Sequence, residues 1–422
     1  MEYNIYCRFI FQNVGQGLFY AGTLERFNFV YDCGSENDLF RDLAVSTYTN
    51  RELAEKRIDL LTISHFHDDH VNGLDTLLRK IDVHTVIVPY FDPVERLILS
   101  LRRIDAADWY YEFLAEPIPF LFRKGVKRVI IVGGSKGEER PPFSNEELPP
   151  FPPEESKRTE DEDPLYIRMP KDNELEKIIA KEEPNWKDFG LILSKKHEGF
   201  IAPKAIGNWI FRFFNYKVEE KRLRSFRKCL VTKKVDLQNT AAIKAAITNA
   251  NMRAKLAKCY TKLRKDLNHT SLALYHGPIG KYEAIFQTAN VCEIEHLLNS
   301  CYSWYSFGPR CWFNRSDCLG HFLTGDLSLN YTRKRIELMK HFRNQFHSIS
   351  ICQLPHHGAK NNWNNQILSR ARSCSSWVAS SGFSNRYEHP SIDVVLHILN
   401  ARRFFLHSYE FNKVISQGIV RW

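Results

Sequence analysis

Seven consecutive residues, Ser64-His65-Phe66-His67-Asp68-Asp69-His70, hold three imidazoles and two carboxylates. His65 and His67 stand two apart, so both rings can turn to one side of an extended segment. Asp69 and His70 are adjacent and can turn into a second position. Donors of this kind suit divalent ions such as Zn²⁺ or Mn²⁺ and disfavour a thiolate site. Ions that keep open water positions generate hydroxide near neutral pH, which is the chemistry of hydrolysis. The alternative is a charged surface loop with incidental histidines, but such a loop has no reason to follow directly on an apolar strand.

The elements needed to deliver that cluster are legible around it. Ile58 to Ser64 predicts a buried strand that runs straight into His65, and Val71 to Lys80 predicts the helix that follows. Tyr6 to Phe11, Leu18 to Ala21 and Phe27 to Tyr31 read as strands, the first two joined through Gly15-Gln16-Gly17 and the third closed by Asp32-Cys33-Gly34. Arg51 to Arg57 reads as helical, and Val83 to Pro89 and Lys127 to Val132 read as further strands. Leu272 to Tyr275, Gly320 to Thr324 and Ile349 to Leu354 resume the same style late in the chain.

Between these halves the composition changes twice. Residues 137–183 are acidic and carry three Pro-Pro pairs, so the first half of the stretch predicts an extended linker or surface loop. Residues 195–265 hold nineteen Lys and Arg against four acids, an excess larger than the whole chain's formal +10. This segment reads as mostly helical, with Phe211, Phe213, Phe214 and Tyr216 interleaved with Arg212 and Lys217. Cations bind phosphates and aromatic rings stack on bases, so Lys221, Arg222, Arg224, Arg227 and Lys228 are expected to meet nucleic acid. A helical hairpin with a solvated basic face is the competing reading.

The expected domains are 1–136 and 266–422, two halves of one fold, and 137–265, an acidic linker followed by a basic helical insertion. No apolar run approaches the roughly 18 residues of a membrane span, and Met1 to Phe11 does not pattern as a secretory leader. Ten cysteines without CxxC pairs read as reduced thiols. A cytoplasmic protein with no membrane partner is the simplest expectation.

HxHxDH, with Gly73 three residues on, resembles the signature of the metallo-β-lactamase superfamily, and Asp32-Cys33-Gly34 resembles its first motif, a structural Asp near the site. The resemblance implies an α/β (α+β) fold: an αββα sandwich with metals at one edge of its two sheets, here carrying a large helical insertion. Asn13-Val14-Gly15-Gln16-Gly17, Asn268 to Leu272, Leu323-Thr324-Gly325-Asp326, Leu354-Pro355-His356-His357-Gly358 and Ser381 to Pro390 follow in that order. Together they are similar to the soluble hydrolase domain of the ComEC/Rec2 competence proteins, over roughly 1–135 and 266–422.

That resemblance implies two divalent ions, Zn or Mn, held by His65, His67, Asp69, His70, Asp326 and His356. Asp326 would bridge both ions, His356 would serve the second, and Asp69, Asp326 and His389 would be the catalytic set. His357 and Asn385 fall on the substrate side. The chain departs from the pattern at Asn13 and Leu18, where the family usually has Asp, and at Ala359, where Ser is common. It keeps His67, where many ComEC-type members have Asp. The third histidine of the first position is not identifiable; His269 and His276 lie in the right interval.

The expected function is a metal-dependent phosphodiesterase, a nuclease on DNA or RNA. It would serve in repair, RNA turnover or defence, the last fitting an effector restrained by a regulatory protein. The rivals are a small-molecule hydrolase of the same fold and a non-enzymatic binding scaffold.

Overall fold

The structure is a computed structural model and describes residues 3–53, 55–134, 163–169, 171–183, 191–194, 199–216, 220–260, 271–292, 311–314 and 318–422. Its first strands are β1 (Asn4–Phe11), β2 (Gly17–Leu24), β3 (Phe27–Ser35), β4 (Arg57–Thr62), β5 (Asp82–Pro89) and β6 (Arg128–Val132). The middle of the chain adds β7 (Leu165–Arg168), β8 (Leu191–Ser194), β9 (Phe200–Pro203) and β10 (Trp209–Phe214). Then come β11 (Ala273–Pro278), β12 (Glu283–Cys292), β13 (Cys311–Asn314), β14 (Gly320–Leu323), β15 (Ile349–Gln353), β16 (Ser376–Ser380), β17 (Phe404–Ser408) and β18 (Asn412–Arg421).

These strands form two sheets. One has ten strands in the order β13-β12-β18-β1-β2-β3-β4-β5-β6-β8, the other eight in the order β17-β16-β15-β14-β11-β10-β9-β7. The core between them is built by strand alternation. In β1 the residues Ile5, Cys7, Phe9 and Phe11 point inward while Asn4 and Tyr6 stay exposed. β3 is buried throughout, Phe27, Phe29 and Tyr31 toward the second sheet and Val30 and Cys33 toward the helices. A strand covered on both faces needs such a continuous apolar run.

Helices cover the outer faces. α1 (Asp38–Thr47), α2 (Asp68–Val71), α3 (Leu74–Lys80), α4 (Pro93–Arg102), α5 (Asp108–Ala115) and α6 (Pro117–Arg123) lie over the ten-stranded sheet. The helices at Thr332–His341, Gln366–Arg370 and Ile392–Asn400 bury Leu338, Ile367, Val394 and Ile398 on the other. α4 starts cleanly: Pro93 opens it, and Asp92 and Glu95 exchange backbone hydrogen bonds as a capping box.

The stretch expected to be inserted behaves differently from that reading. From this stretch β7, β8, β9 and β10 complete both sheets. Trp209, Phe211 and Phe213 enter the inter-sheet core while Ile210 and Phe214 enter the outer one. The aromatics read as a base-stacking surface are therefore core residues, and removing a ring such as Phe211 would cost about 3–5 kcal/mol. α7 (Asn173–Glu182) lies between β7 and β8, and α8 (Glu220–Thr232), α9 (Thr240–Thr248) and α10 (Ala250–Tyr260) follow β10. α9 and α10 pack on α4, α9 also packs on α5, and Leu223, Phe226, Ile243, Ile247 and Leu256 join the first half's helical core.

One cysteine expectation is overturned. Cys229 and Cys259 form a disulfide between α8 and α10; thirty residues of separation give no local signal of it. Part of the acidic stretch also meets the basic one, because Lys244 pairs with Glu183 at 2.8 Å. Residues 137–162 lie outside the described residues. Among the described residues no helix is long and apolar enough to cross a membrane.

Candidate metal centre

The sequence puts its chemical residues just past the C-terminal ends of parallel strands, the usual ligand-binding edge of such sheets. β4 runs into His65, β14 into Asp326, β15 into His356 and His357, and β16 into the loop that holds His389. The loop after β4 is clamped from below. Asp32, at φ +57°, takes hydrogen bonds from the Ser64 backbone N at 2.6 Å and the Ser64 hydroxyl at 2.5 Å. Gly34 lies so close beneath that a Cβ there would stand 2.5–2.6 Å from backbone atoms of Asp69 and His70.

Three of the rings are oriented by their remote nitrogen. His70 Nδ1 lies 2.8 Å from Asp32 Oδ2, which turns Nε2 toward Asp326 Oδ1 at 3.2 Å and Asp69 Oδ2 at 3.8 Å. His357 Nδ1 donates to the Ser380 carbonyl at 2.7 Å, which turns Nε2 toward Asp69 Oδ2 at 3.3 Å and Asp326 Oδ1 at 3.8 Å. His65 Nδ1 meets the Ser64 and Ser271 hydroxyls at 2.8 and 3.2 Å, leaving Nε2 at 3.6 Å from Asp326 Oδ2. His67 Nδ1 is 2.9 Å from His65 Nε2 and 4.0 Å from Asp326 Oδ2. Such outer partners fix tautomer and ring plane at metal sites.

Asp326 is held by its own turn. Gln353 Oε1 accepts from the Thr324 and Gly325 backbone N–H groups at 3.0 Å each, and Asn362 donates to the Asp326 carbonyl at 3.1 Å. Burial pushes the Asp326 carboxyl up, but His356, His70 and His65 around it outweigh that and hold it well below the ordinary carboxylate range. Asp69 is likewise raised by burial and lowered further by His70 and His357, with the second effect winning. His65 and His67 are pushed down by burial first, then by neighbouring positive charge, so their nitrogens are available as lone-pair donors.

The donor set fits divalent metal. His70 Nε2, His357 Nε2 and Asp326 Oδ1 are buried with no hydrogen-bond partner, and buried polar atoms without partners call for one. Among the described residues three groups fall within ligand spacing, His65–His67–Asp326, Asp69–His70–His357 and Asp32–His65–His70; in the last, Asp32 already accepts from Ser64 and faces His70 Nδ1. Atoms coordinating one tetrahedral ion at about 2.0–2.2 Å stand roughly 3.3 Å apart, close to several separations above.

The structure thus brings together His65, His67, Asp69, His70, Asp326, His356 and His357. His356 Nδ1 stands 3.6 Å from Asp326 Oδ2, the oxygen that faces His65 and His67, whereas the sequence reading assigned it to the second position. His356 and His357 are both left-handed, at φ +49° and +58°, a conformation that costs roughly 1–2 kcal/mol per residue. His389 lies beside them, its ring 5.6 Å from His356 and 6.2 Å from His357. Burial lowers its pKa to about 4, helped by those two rings.

Other expectations fare differently. Asn385 spends its amide inside its own loop, donating to the Gly382 and His389 carbonyls and accepting from the Tyr387 and His389 N–H groups. Asn13 donates to the Glu410 carbonyl, and Leu18 is core. His276 is not at the cluster: it sits between the sheets with Tyr20 and His321. His269 lies outside the described residues. On α8, Arg224 and Lys228 are exposed and Arg227 pairs with Asp92 at 3.0 Å; the side chains of Lys221 and Arg222 lie outside the described residues. Sequence reasoning missed Ser271, Gln353 and Arg102, whose Nη1 is 2.9 Å from His67 Nε2. Only Ser271, inside the Asn268–Leu272 motif, carried a signal.

Residues 14–167 match the family described as the metallo-beta-lactamase superfamily. The two sheets with helices outside are the metallo-β-lactamase fold. It is the fold of a superfamily composed mostly of hydrolases, and the His/Asp groups here are able to hold metal ions. A solved structure, the metallo-beta-lactamase fold protein YhfI from Bacillus subtilis, is similar at 8% identity and a TM-score of 0.38, over 98% of this chain and all of that one. No curated protein matches the chain.

Proposed function

We propose that the chain is a metal-dependent phosphodiesterase that cleaves nucleic acid with two divalent ions. The observation that carries this reading is the split of donors across Asp326: Oδ2 faces His65, His67 and His356, while Oδ1 faces His70 and His357, with Asp69 behind them. One ion would be held by His65, His67 and Asp326, the second by Asp69, His70, His357 and Asp326. Bound there, the ions would activate water and stabilise developing negative charge. His356, on the Oδ2 side of Asp326, would serve the first ion as a further imidazole; among the described residues no histidine between His70 and Asp326 reaches the cluster.

The protein's own residues orient the reaction. Asp32, Ser64 and the Ser380 carbonyl lock the rings, so the donors are in place before substrate arrives. His389, neutral at pH 7, would line the substrate side and hold a proton near the leaving group. The nucleic-acid preference rests on the order of motifs shared with ComEC/Rec2-type domains and on the exposed cations of α8. The burial of Phe211, Phe213 and Phe214 removes the base-stacking argument, and that favours the second reading, hydrolysis of a small phosphodiester or ester.

The test is incubation of the purified chain with Mn²⁺ or Zn²⁺ and a panel of single- and double-stranded DNA and RNA. Cleavage that Asp69→Ala abolishes supports the proposal. Turnover confined to small esters would replace it with the second reading.

A further inference from the structure

Nothing in the sequence singles out Arg102, yet the fold delivers it to the metal loop. It ends α4, and the turn that follows is stapled to that loop from two directions. Tyr110, on α5, donates to the Phe66 carbonyl at 2.8 Å, between His65 and His67. Tyr111 donates to the Arg103 carbonyl at 2.8 Å and accepts from the Ala106 backbone N at 3.0 Å. Arg103 reaches Asp68 and Asp105. Arg102 is exposed, while His67 beneath it is only 5% exposed. Its Nη1 lies 2.9 Å from His67 Nε2 and 3.2 Å from Nδ1.

A second guanidinium stands on the other flank. Arg386, its side chain 73% exposed, lies over the Tyr387 ring at 4.7 Å. Tyr387 stacks on His389, and His389 stacks on His357, so this arginine is connected to the second half of the cluster through three rings. Glu36 holds the pair in place, 3.6 Å from Arg386 and accepting from the Tyr387 hydroxyl at 3.0 Å. Arg102 and Arg386 come from segments 284 positions apart in the sequence, yet the fold sets one against His67 and joins the other to His357 through Tyr387 and His389.

Resting on the phosphodiesterase reading above, we propose that Arg102 and Arg386 form the anion clamp of the site. Arg102 would bind the non-bridging oxygens of the substrate phosphate once metal occupies His67. The coupling follows from the ring's two nitrogens. A neutral imidazole that gives Nδ1 to a cation keeps its proton on Nε2. It then offers Arg102 a donor and no acceptor, and a guanidinium has only donors. The Arg102–His67 hydrogen bond and a metal on His67 therefore exclude each other. With metal on His67 the exposed guanidinium would lose that hydrogen bond, and a phosphate oxygen could take the place of the ring nitrogen. Guanidinium forks match phosphate oxygens two by two; a neutral ester or lactone has no comparable use for them.

The metal-loaded full chain tests this with two readouts. Titration calorimetry with inorganic phosphate, and kcat/KM on bis(p-nitrophenyl) phosphate, should each fall about 10- to 100-fold in Arg102→Ala, the range of a hydrogen bond to a charged group. Arg102→Lys should recover part of the loss. Metal affinity, read by titration of the apo-protein with Co²⁺, should be equal or tighter in Arg102→Ala, because a competing cation has gone. Arg386→Ala should weaken phosphate binding with metal affinity unchanged. Parental phosphate binding in both alanine variants overturns the clamp. So does metal affinity that falls together with phosphate binding, since that is the signature of a residue that merely positions His67. If the loaded parent neither binds phosphate nor cleaves any phosphodiester, the phosphodiesterase reading fails first and the clamp with it.

Discussion

The described residues contain two clusters of buried histidines, and their contrast shows what turns imidazoles into a metal centre. At the strand edge, five rings converge on two carboxylates, and the remote nitrogens of three of them, His70, His65 and His357, are taken by Asp32, by Ser64 and Ser271, and by the Ser380 carbonyl. Between the sheets, His276 and His321 face each other across β11 and β14 and share the Tyr20 hydroxyl at 2.8 and 2.7 Å. No carboxylate is among the partners found there; Phe9, Phe29, Phe211 and Trp209 surround the rings. The first cluster has negative charge to balance a dication. In the second, burial pushes both imidazoles toward the neutral form, and burial keeps the Tyr20 phenol protonated, so no negative charge faces them. Histidine count alone does not make a site; lone pairs that converge on one point do, and here two carboxylates join them.

The contrast breaks most visibly by substitution. Asp69→Ala should lower hydrolysis at least about 100-fold, the loss that outer metal partners alone can cause, while circular dichroism and the melting transition stay close to the parent. Full activity in this variant would mean that the cluster is not the site. Tyr20→Phe should show the opposite pattern. It leaves two buried imidazoles without their shared partner, so stability should fall by at least about 1–3 kcal/mol in denaturant unfolding, with metal content unchanged. Loss of metal in Tyr20→Phe would erase the distinction between the clusters.

The core pair should also appear in the acid limb of stability. Burial lowers the His321 pKa from 6.5 to about 3. As pH falls below 6.5, the unfolded chain takes up a proton that the folded ring refuses. The stability linked to this ring is therefore complete above about 6.5 and is lost progressively toward 3. Metal-free His321→Phe should show a shallower decline over that window than metal-free parent; coincident slopes would mean that the folded ring titrates normally.

The smallest effect belongs to α8. Arg224→Ala with Lys228→Ala should weaken polymer binding without changing turnover of a small phosphodiester. For every phosphate that the variant no longer neutralises, the log–log salt dependence should flatten by roughly 0.7 for single strands or 0.9 for duplex. An unchanged salt slope would make this face a solvated surface.

How much of this was legible depends on how local each signal is. His65, His67, Asp69 and His70 are nearly consecutive and follow an apolar strand, so residue type and position pointed to the metal loop. Asp326 and the pair His356–His357 needed the order of several short motifs, because the strands that bring them in are more than 250 residues away from that loop. Which of the two histidines faces which oxygen is a matter of backbone conformation and had no sequence signal. β10 misled because a doubly covered strand and a stacking surface share a composition: Arg212, between two core aromatics, is itself buried and reaches Gln345 at 2.8 Å. Arg102 was invisible, since its placement depends on tyrosine hydroxyls gripping the backbone.

Metal stoichiometry tests the central claim most directly. Elemental analysis of the purified chain, after equilibration with Zn²⁺ or Mn²⁺ and removal of excess, should find more than one equivalent of divalent ion in the parent. Asp326→Ala, which removes the carboxylate shared by both positions, should retain close to none while keeping the parental fold. A parent that takes up no metal, or an Asp326→Ala variant that holds as much as the parent, would contradict a centre built across that residue.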